Sequence, residues 1–132
     1  MNDNEKQILQ HVINGVDLEI LNYKCDYIGI QYSKANGYYF LNNKLHITYK
    51  GGSTGKSLDD CRLILRPLSD LTKEIDGHCY WLLIEDIEMR YFRLKNIEIN
   101  KLCVKTYNNL LSHHFDVFGL IEKGLAIDIN TI

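Results

Sequence analysis

The stretch that decides the fold runs from Tyr27 to Lys50, YIGIQYSKANGYYFLNNKLHITYK. It opens with Ile28, Ile30 and Tyr32 alternating with Gly29, Gln31 and Ser33. A period of two is the mark of a β-strand. Asn36-Gly37 follows and reads as a tight hairpin turn, because this dipeptide readily takes positive φ angles. Tyr38 to Leu41 reads as the next strand, its aromatics suited to a pleated surface. Asn42-Asn43 reads as a second turn. Leu45, Ile47 and Tyr49 then point one way, with His46 and Thr48 opposite. The whole is the pattern of an antiparallel β-meander.

Towards the N-terminus, residues 4–14 read as a helix. Asp3 or Asn4 caps it, Ile8, Leu9, Val12 and Ile13 share a face, and Gly15 stops it. Val16, Leu18 and Ile20 alternate with polar residues as in a strand, with a short helix as the alternative.

Beyond the meander, Gly51–Ser57 reads as a loop. Cys61–Leu65 reads as a strand that ends at Arg66-Pro67, where the residue before proline favours extended geometry. Ser69 is placed to cap a short helix through Ile75, and Asp76-Gly77 to turn the chain. Residues 79–84 fit a strand or part of a helix. Residues 100–114 read as a helix with Leu102, Cys103, Val104, Tyr107, Leu110, Leu111 and His114 on its apolar face. Asp116 then caps a short helix over 117–123 that ends at Gly124, and Leu125–Ile129 is a last strand.

This irregular order predicts an α+β domain spanning residues 1–132, with an antiparallel β-meander in the N-terminal half and helices packed on one side. A chain of 132 residues can bury a core of its own. The polar start MNDNEKQ lacks the features of a secretion signal, so reduced thiols are expected at Cys25, Cys61, Cys79 and Cys103.

The net charge of −2 argues against a general nucleic-acid binder, but it is unevenly spread. Residues 1–26 carry −3 and residues 59–132 carry −3, whereas residues 27–58 carry +4 from Lys34, Lys44, Lys50 and Lys56 with no acid at all. Six of the fourteen aromatics fall in that basic stretch: Tyr27, Tyr32, Tyr38, Tyr39, Phe40 and Tyr49. Aromatics beside lysines suit protein hot spots or the stacking of single-stranded bases. Set against this, alternation turns half of the aromatics to the core, and lysines commonly protect sheet edges. For the patch as a whole a protein partner is favoured, since an acidic chain repels a phosphate backbone at longer range. Lys34, Tyr38, Tyr39, Lys44, Tyr49 and Lys50 are the candidate partner-binding residues, and self-association into a homo-oligomer fits the same surface. A nucleic acid bound by the meander at 27–58, or a small ligand or nucleotide, is the alternative.

Other fragments of chemistry are incomplete. GGSTGKS at 51–57 evokes a phosphate-binding loop, but Lys50 stands where the first glycine is required and no long helix follows. His113, His114 and Asp116 are clustered, yet adjacent helical residues point about 100° apart, so the two imidazoles are poorly placed to share an ion. Asp59-Asp60 and Glu85-Asp86-Glu88 read as solvated acids. His78 beside Cys79 is no catalytic dyad by adjacency alone. Neither a catalytic residue nor a cofactor or metal is expected, and no apolar run is long enough for a membrane helix.

Two segments, CRLILRPLSDLTKEI at 61–75 and LLSHHFDVFGLIEKGLAIDIN at 110–130, resemble small uncharacterised proteins of bacteriophages and prophages of gut anaerobes. In that set LRPLSDLTKEI sits mid-chain and the C-terminal segment reads WHFDVFGLIEKGLAIDIN, so His113 here stands in place of a tryptophan. The resemblance covers 36 of 132 residues. It implies a phage or mobile-element origin and a bacterial host cytoplasm, and it implies no activity. The resulting expectation is an accessory protein, not an enzyme, that binds a protein such as a host or defence component through residues 27–50, while 110–130 holds the domain together.

Overall fold

The computed structural model describes residues 1–24, 27–52, 54–72, 74–75, 78–79 and 104–132. Among these residues it is an α+β arrangement: a six-stranded, mostly antiparallel sheet with two α-helices. Helix α1 spans Asp3–Ile13 and is capped by Asn2. The Asn2 side chain accepts from the Glu5 amide at 2.8 Å while the Glu5 carboxylate accepts from the Asn2 amide at 3.2 Å. Ile8, His11 and Val12 form the buried i, i+3, i+4 stripe, and Ile13, expected on that face, is exposed. Gly15, at φ 68, turns the chain into the sheet.

Strands β1 (Asp17–Lys24), β2 (Tyr27–Leu41), β3 (Lys44–Tyr49), β4 (Lys56–Ser57), β5 (Cys61–Leu65) and β8 (Ala126–Asp128) lie in the order β4-β3-β2-β1-β5-β8. Only the β5–β8 pair is parallel. Strands β6 (Glu74–Ile75) and β7 (His78–Cys79) form a separate antiparallel pair.

The 15-residue strand β2 joins two half-sheets. Its residues 27–34 pair with β1, and its residues 35–41 pair with β3. Asn36-Gly37 is therefore not a turn, as its composition suggested, but a β-bulge between Ala35 and Gly37. The Thr48 hydroxyl donates to the Asn36 side-chain oxygen at 2.7 Å, holding the extra residue in place. At Gly37 a Cβ would lie 2.8 Å from that same hydroxyl, so this close approach needs glycine. The true turn is Asn42-Asn43, with φ of 51 and 62, as a type I′ hairpin requires.

Opposed residues share a face of the sheet, so the pairings assign inside and outside. Leu18, Ile20, Leu45, Ile47, Tyr49, Cys61, Leu63 and Leu65 face inward with Ile8, Leu9 and Val12 of α1. The bulge reverses the alternation of β2. Before it, Gln31, Ser33 and Ala35 lie on the inner register; after it, Tyr38 and Phe40 do, opposite Ile47 and Leu45. Lys56-Ser57, expected within a loop, extends the sheet as β4.

Helix α2 covers Val104–Ser112 of the expected 100–114 and ends before His113 and His114, which lie in a turn; its Leu110 and Leu111 are buried while Val104 is exposed. Leu102 and Cys103, like 80–101, lie outside the described residues, as do Asp76 and Gly77. A 3-10 turn at Leu68–Thr72, followed by β6, replaces the short helix expected through Ile75, so Ser69 lies inside the turn and does not precede it.

The 117–123 segment is a series of turns, because Gly119 adopts φ 71 where a helix would need a negative angle. Asp116 still organises it: its carboxylate accepts from the amides of Leu120 at 2.7 Å and Ile121 at 3.0 Å. Phe115 bridges to Arg66, whose amide donates to the His114 carbonyl at 2.9 Å and whose carbonyl accepts from the Asp116 amide at 2.8 Å. The last strand, β8, gives way to a 3-10 turn at Ile129–Thr131.

Phe115 is fully buried at this junction. Phe115→Ala should lower the unfolding free energy by about 3–5 kcal/mol in urea titrations. Ile13→Ala, on an exposed position, should change it by about 0.5 kcal/mol or less. A loss at Phe115 no larger than that at Ile13 would show that the C-terminal segment does not hold the fold.

Candidate functional site

The bulge and the I′ turn together build the end of the β2–β3 hairpin. Tyr38, Tyr39, Phe40 and Leu41 are 47%, 36%, 45% and 53% exposed, so four consecutive large apolar residues meet solvent. They alternate between the faces. Tyr38 and Phe40 meet edge to face on the inner register, with ring centroids 6.3 Å apart. Tyr39 and Leu41 lie on the outer register, and Tyr39 stacks on His46 at 5.1 Å with the planes 8° apart. Tyr39 also lies over Gly55, where a Cβ would come within 2.8 Å of its ring.

Lys34, Lys44 and Lys50 are exposed; Lys34 and Lys44 share the outer register with Tyr39, and Lys50 lies in the turn that follows β3. Lys56 pairs with Ile47 on the inner register and is half-buried. Tyr49, a candidate for partner binding by sequence, is only 8% exposed and belongs to the core. Its place in the alternation of β3, beside Leu45 and Ile47, turns it inward. Among the sequence candidates, the structure therefore groups Tyr38, Tyr39 and Lys44 at the hairpin end and sets Lys34 and Lys50 at the other end of the β2–β3 pairing. Phe40 and Leu41 complete the patch. Composition hides them, since alternation alone would bury one of each adjacent pair.

The glycine loop has a packing explanation. A Cβ at Gly52 would fall 2.5 Å from the Tyr49 ring, so Gly52 and Gly55 make room for two tyrosines. Lys56-Ser57 enters a strand, leaving no helix N-terminus for a phosphate.

The histidine cluster also separates. His113 is exposed, with Nδ1 2.8 Å from the Asn109 carbonyl. His114 is half-buried at φ 62. Burial lowers its pKa, with Asp17 opposing the shift and Lys34 and His113 adding to it. Asp116 is occupied by backbone amides. Asp59 is exposed; Glu85, Asp86 and Glu88 lie outside the described residues. The Cys61 thiol is free and buried, and burial pushes its pKa up to about 12, with Asp60 adding to the effect. It is thus a poor nucleophile.

His11 was not among the residues singled out from the sequence. Its position three residues after Ile8 puts it in the core, at 0% exposure, with its ring edge-on to Phe118 at 5.8 Å. Phe118 in turn meets Tyr107 of α2 at 6.0 Å. Among the described residues neither ring nitrogen of His11 has a hydrogen-bond partner. Burial, together with the neighbouring His114, pushes its pKa down to about 4.

No helix among the described residues is long and apolar enough to cross a membrane. Comparison with family models, curated proteins and solved structures gives no match.

His11 generates a test. The unfolded chain protonates it near 6.5 and the folded chain near 4. Between those values the unfolded state holds the extra proton, so stability is full above pH 6.5 and is lost as pH falls towards 4. The loss is on the order of 3 kcal/mol. His11→Phe should remove that share of the pH dependence and, by eliminating two unsatisfied nitrogens, raise stability at pH 7.5 by about 1–3 kcal/mol. Urea unfolding of both proteins at pH 7.5 and 4.5 measures this; parallel losses in the two would contradict it.

Proposed function

We propose that this chain is an accessory binding protein, not an enzyme, and that the end of the β2–β3 hairpin docks on an acidic, partly apolar protein surface. The observation that carries this reading is the exposure of Tyr38, Tyr39, Phe40 and Leu41 as one contiguous run. Clustered exposed aromatics mark interaction sites, and Tyr is enriched among residues that dominate binding energy. Lys44, paired with Leu41, supplies positive charge at the same tip. Favouring acidic partners in this way speeds encounter more than it adds affinity.

Spacing favours a protein over a nucleic acid. A single strand needs aromatics close enough to take successive bases. The outward tyrosines Tyr32 and Tyr39 are seven positions apart on β2, or roughly 23 Å at about 3.3 Å per residue, and one face of Tyr39 is taken by His46. The resemblance of residues 61–75 and 110–130 to phage and prophage proteins adds that the partner belongs to a bacterial host or its mobile elements, in the cytoplasm.

Affinity capture from bacterial lysate tests the reading, with retained proteins identified by mass spectrometry and retained nucleic acid by sequencing. Wild-type protein should retain a defined protein after nuclease treatment. Phe40→Asp should abolish that capture, and Lys44→Glu should weaken it about tenfold, a change of about 1.4 kcal/mol. Both variants should melt close to wild type, since these side chains are exposed. Capture that survives Phe40→Asp, or that disappears with nuclease, would overturn the proposal.

A further inference from the structure

A second feature of the outer sheet face lies apart from the hairpin end. At the start of β1 the sheet carries a solvent-open groove of about 680 Å³. Ile64 of β5 and Ile129, just after β8, give it an apolar floor; Ile64 is buried and Ile129 half-buried. Tyr32 of β2, 53% exposed, and Ile132, 57% exposed, supply its exposed apolar lining. Lys34 and Lys50 line it as well.

The backbone around the groove is fixed. The Ser33 hydroxyl donates to the Lys50 carbonyl at 2.6 Å, and the Lys50 amide donates to the Lys34 carbonyl at 3.0 Å. Lys34 thus stands beside an apolar trough on a paired strand, and these two bonds hold Lys50, in the turn just after β3, against the same strand. Asp17, opposite Lys34 in the β1–β2 ladder, is the one side-chain carboxylate of the lining. Among the described residues the ion pairs are Arg62–Glu19 and Arg66–Asp70, so neither Lys34 nor Lys50 is held within 4.0 Å of a carboxylate. The lining side chains therefore sum to one positive charge.

We propose that this groove is a binding site for a small amphipathic monoanion: an aromatic or branched apolar body bearing one carboxylate or sulfonate. Its volume lies within the roughly 300–1,000 Å³ of small-molecule sites, and a mostly apolar lining with a few convergent polar groups is their usual make-up. The body lies on Ile64 and Ile129 against the Tyr32 ring, and the anionic group sits between the Lys34 and Lys50 ammoniums. A dianion is disfavoured by Asp17, and a neutral analogue leaves both lysines without a partner. The site is independent of the hairpin end, because none of Tyr38 to Leu41 lines it.

The probe is 1-anilinonaphthalene-8-sulfonate, compared with uncharged N-phenyl-1-naphthylamine, both followed by fluorescence titration of the full chain at pH 7.5. The sulfonate should saturate one site and bind at least tenfold tighter than the neutral analogue. Lys34→Gln combined with Lys50→Gln should remove that preference and leave the neutral analogue unchanged. Asp17→Asn should tighten the sulfonate several-fold. Ile129→Ser should weaken both probes, and Phe40→Asp should affect neither, which separates this site from the hairpin surface. Circular dichroism confirms that each variant is folded. The proposal fails if sulfonate binding does not saturate, if the neutral analogue binds as tightly, if the double lysine variant keeps the preference, or if Phe40→Asp abolishes binding.

Discussion

The bulge at Ala35–Gly37 is the constraint on which the rest of the molecule depends. One extra residue, Asn36, is accommodated by the Thr48 hydroxyl and by the missing Cβ of Gly37. Its effect is geometric. Side chains on a strand alternate strictly, so an inserted residue exchanges inside and outside for everything that follows. Upstream, Ala35 faces the core and Tyr32 and Lys34 face out; downstream, Tyr38 and Phe40 turn to the core side and Tyr39 and Leu41 face out. The bulge also marks where β2 passes from pairing with β1 to pairing with β3, so one strand serves two half-sheets.

Both candidate surfaces follow from that exchange. The stretch before the bulge contributes Tyr32 and Lys34 to the groove, where β5 and the chain after β8 bring isoleucines from far along the sequence. The stretch after it carries the aromatic hairpin end beyond the part of β2 that pairs with β1. Gly52 and Gly55, which resemble fragments of a phosphate loop, are explained by the rings of Tyr49 and Tyr39 packed against them. The C-terminal segment acts differently. Phe115 and Asp116 tie the end of α2 to Arg66, and the parallel strand β8 closes the sheet against β5.

Much of this was legible in the sequence where period and turn chemistry agreed. The inward set Leu45, Ile47 and Tyr49, the Asn42-Asn43 turn, the strand at Cys61–Leu65 and the first helix follow from local pattern alone. Asn36-Gly37 misled because its composition suits a hairpin turn as well as a bulge, and only the pairing partner decides. Tyr49 was misplaced as a surface residue because colour by type, aromatic beside lysine, was given weight over its place in the alternation. The helix expected over 117–123 failed on the backbone angle of Gly119. The groove was illegible for a more general reason: Asp17, Tyr32, Ile64 and Ile129 are distant in the chain, and only sheet order brings them together. The burial of His11 was open to inference from its helical spacing, but a polar residue type discourages that reading.

Cross-strand nuclear Overhauser contacts across the bulge test the central claim most directly. The account predicts backbone contacts between the opposed residues Gly37 and Thr48 and between Tyr39 and His46, together with Ala35 opposite Tyr49 and Ile20 opposite Gln31. β2 would then be one continuous strand with its alternation reversed at Asn36. Backbone contacts between Ala35 and Tyr38, the pair that would flank a two-residue turn at Asn36-Gly37, would contradict it and with it the placement of both surfaces.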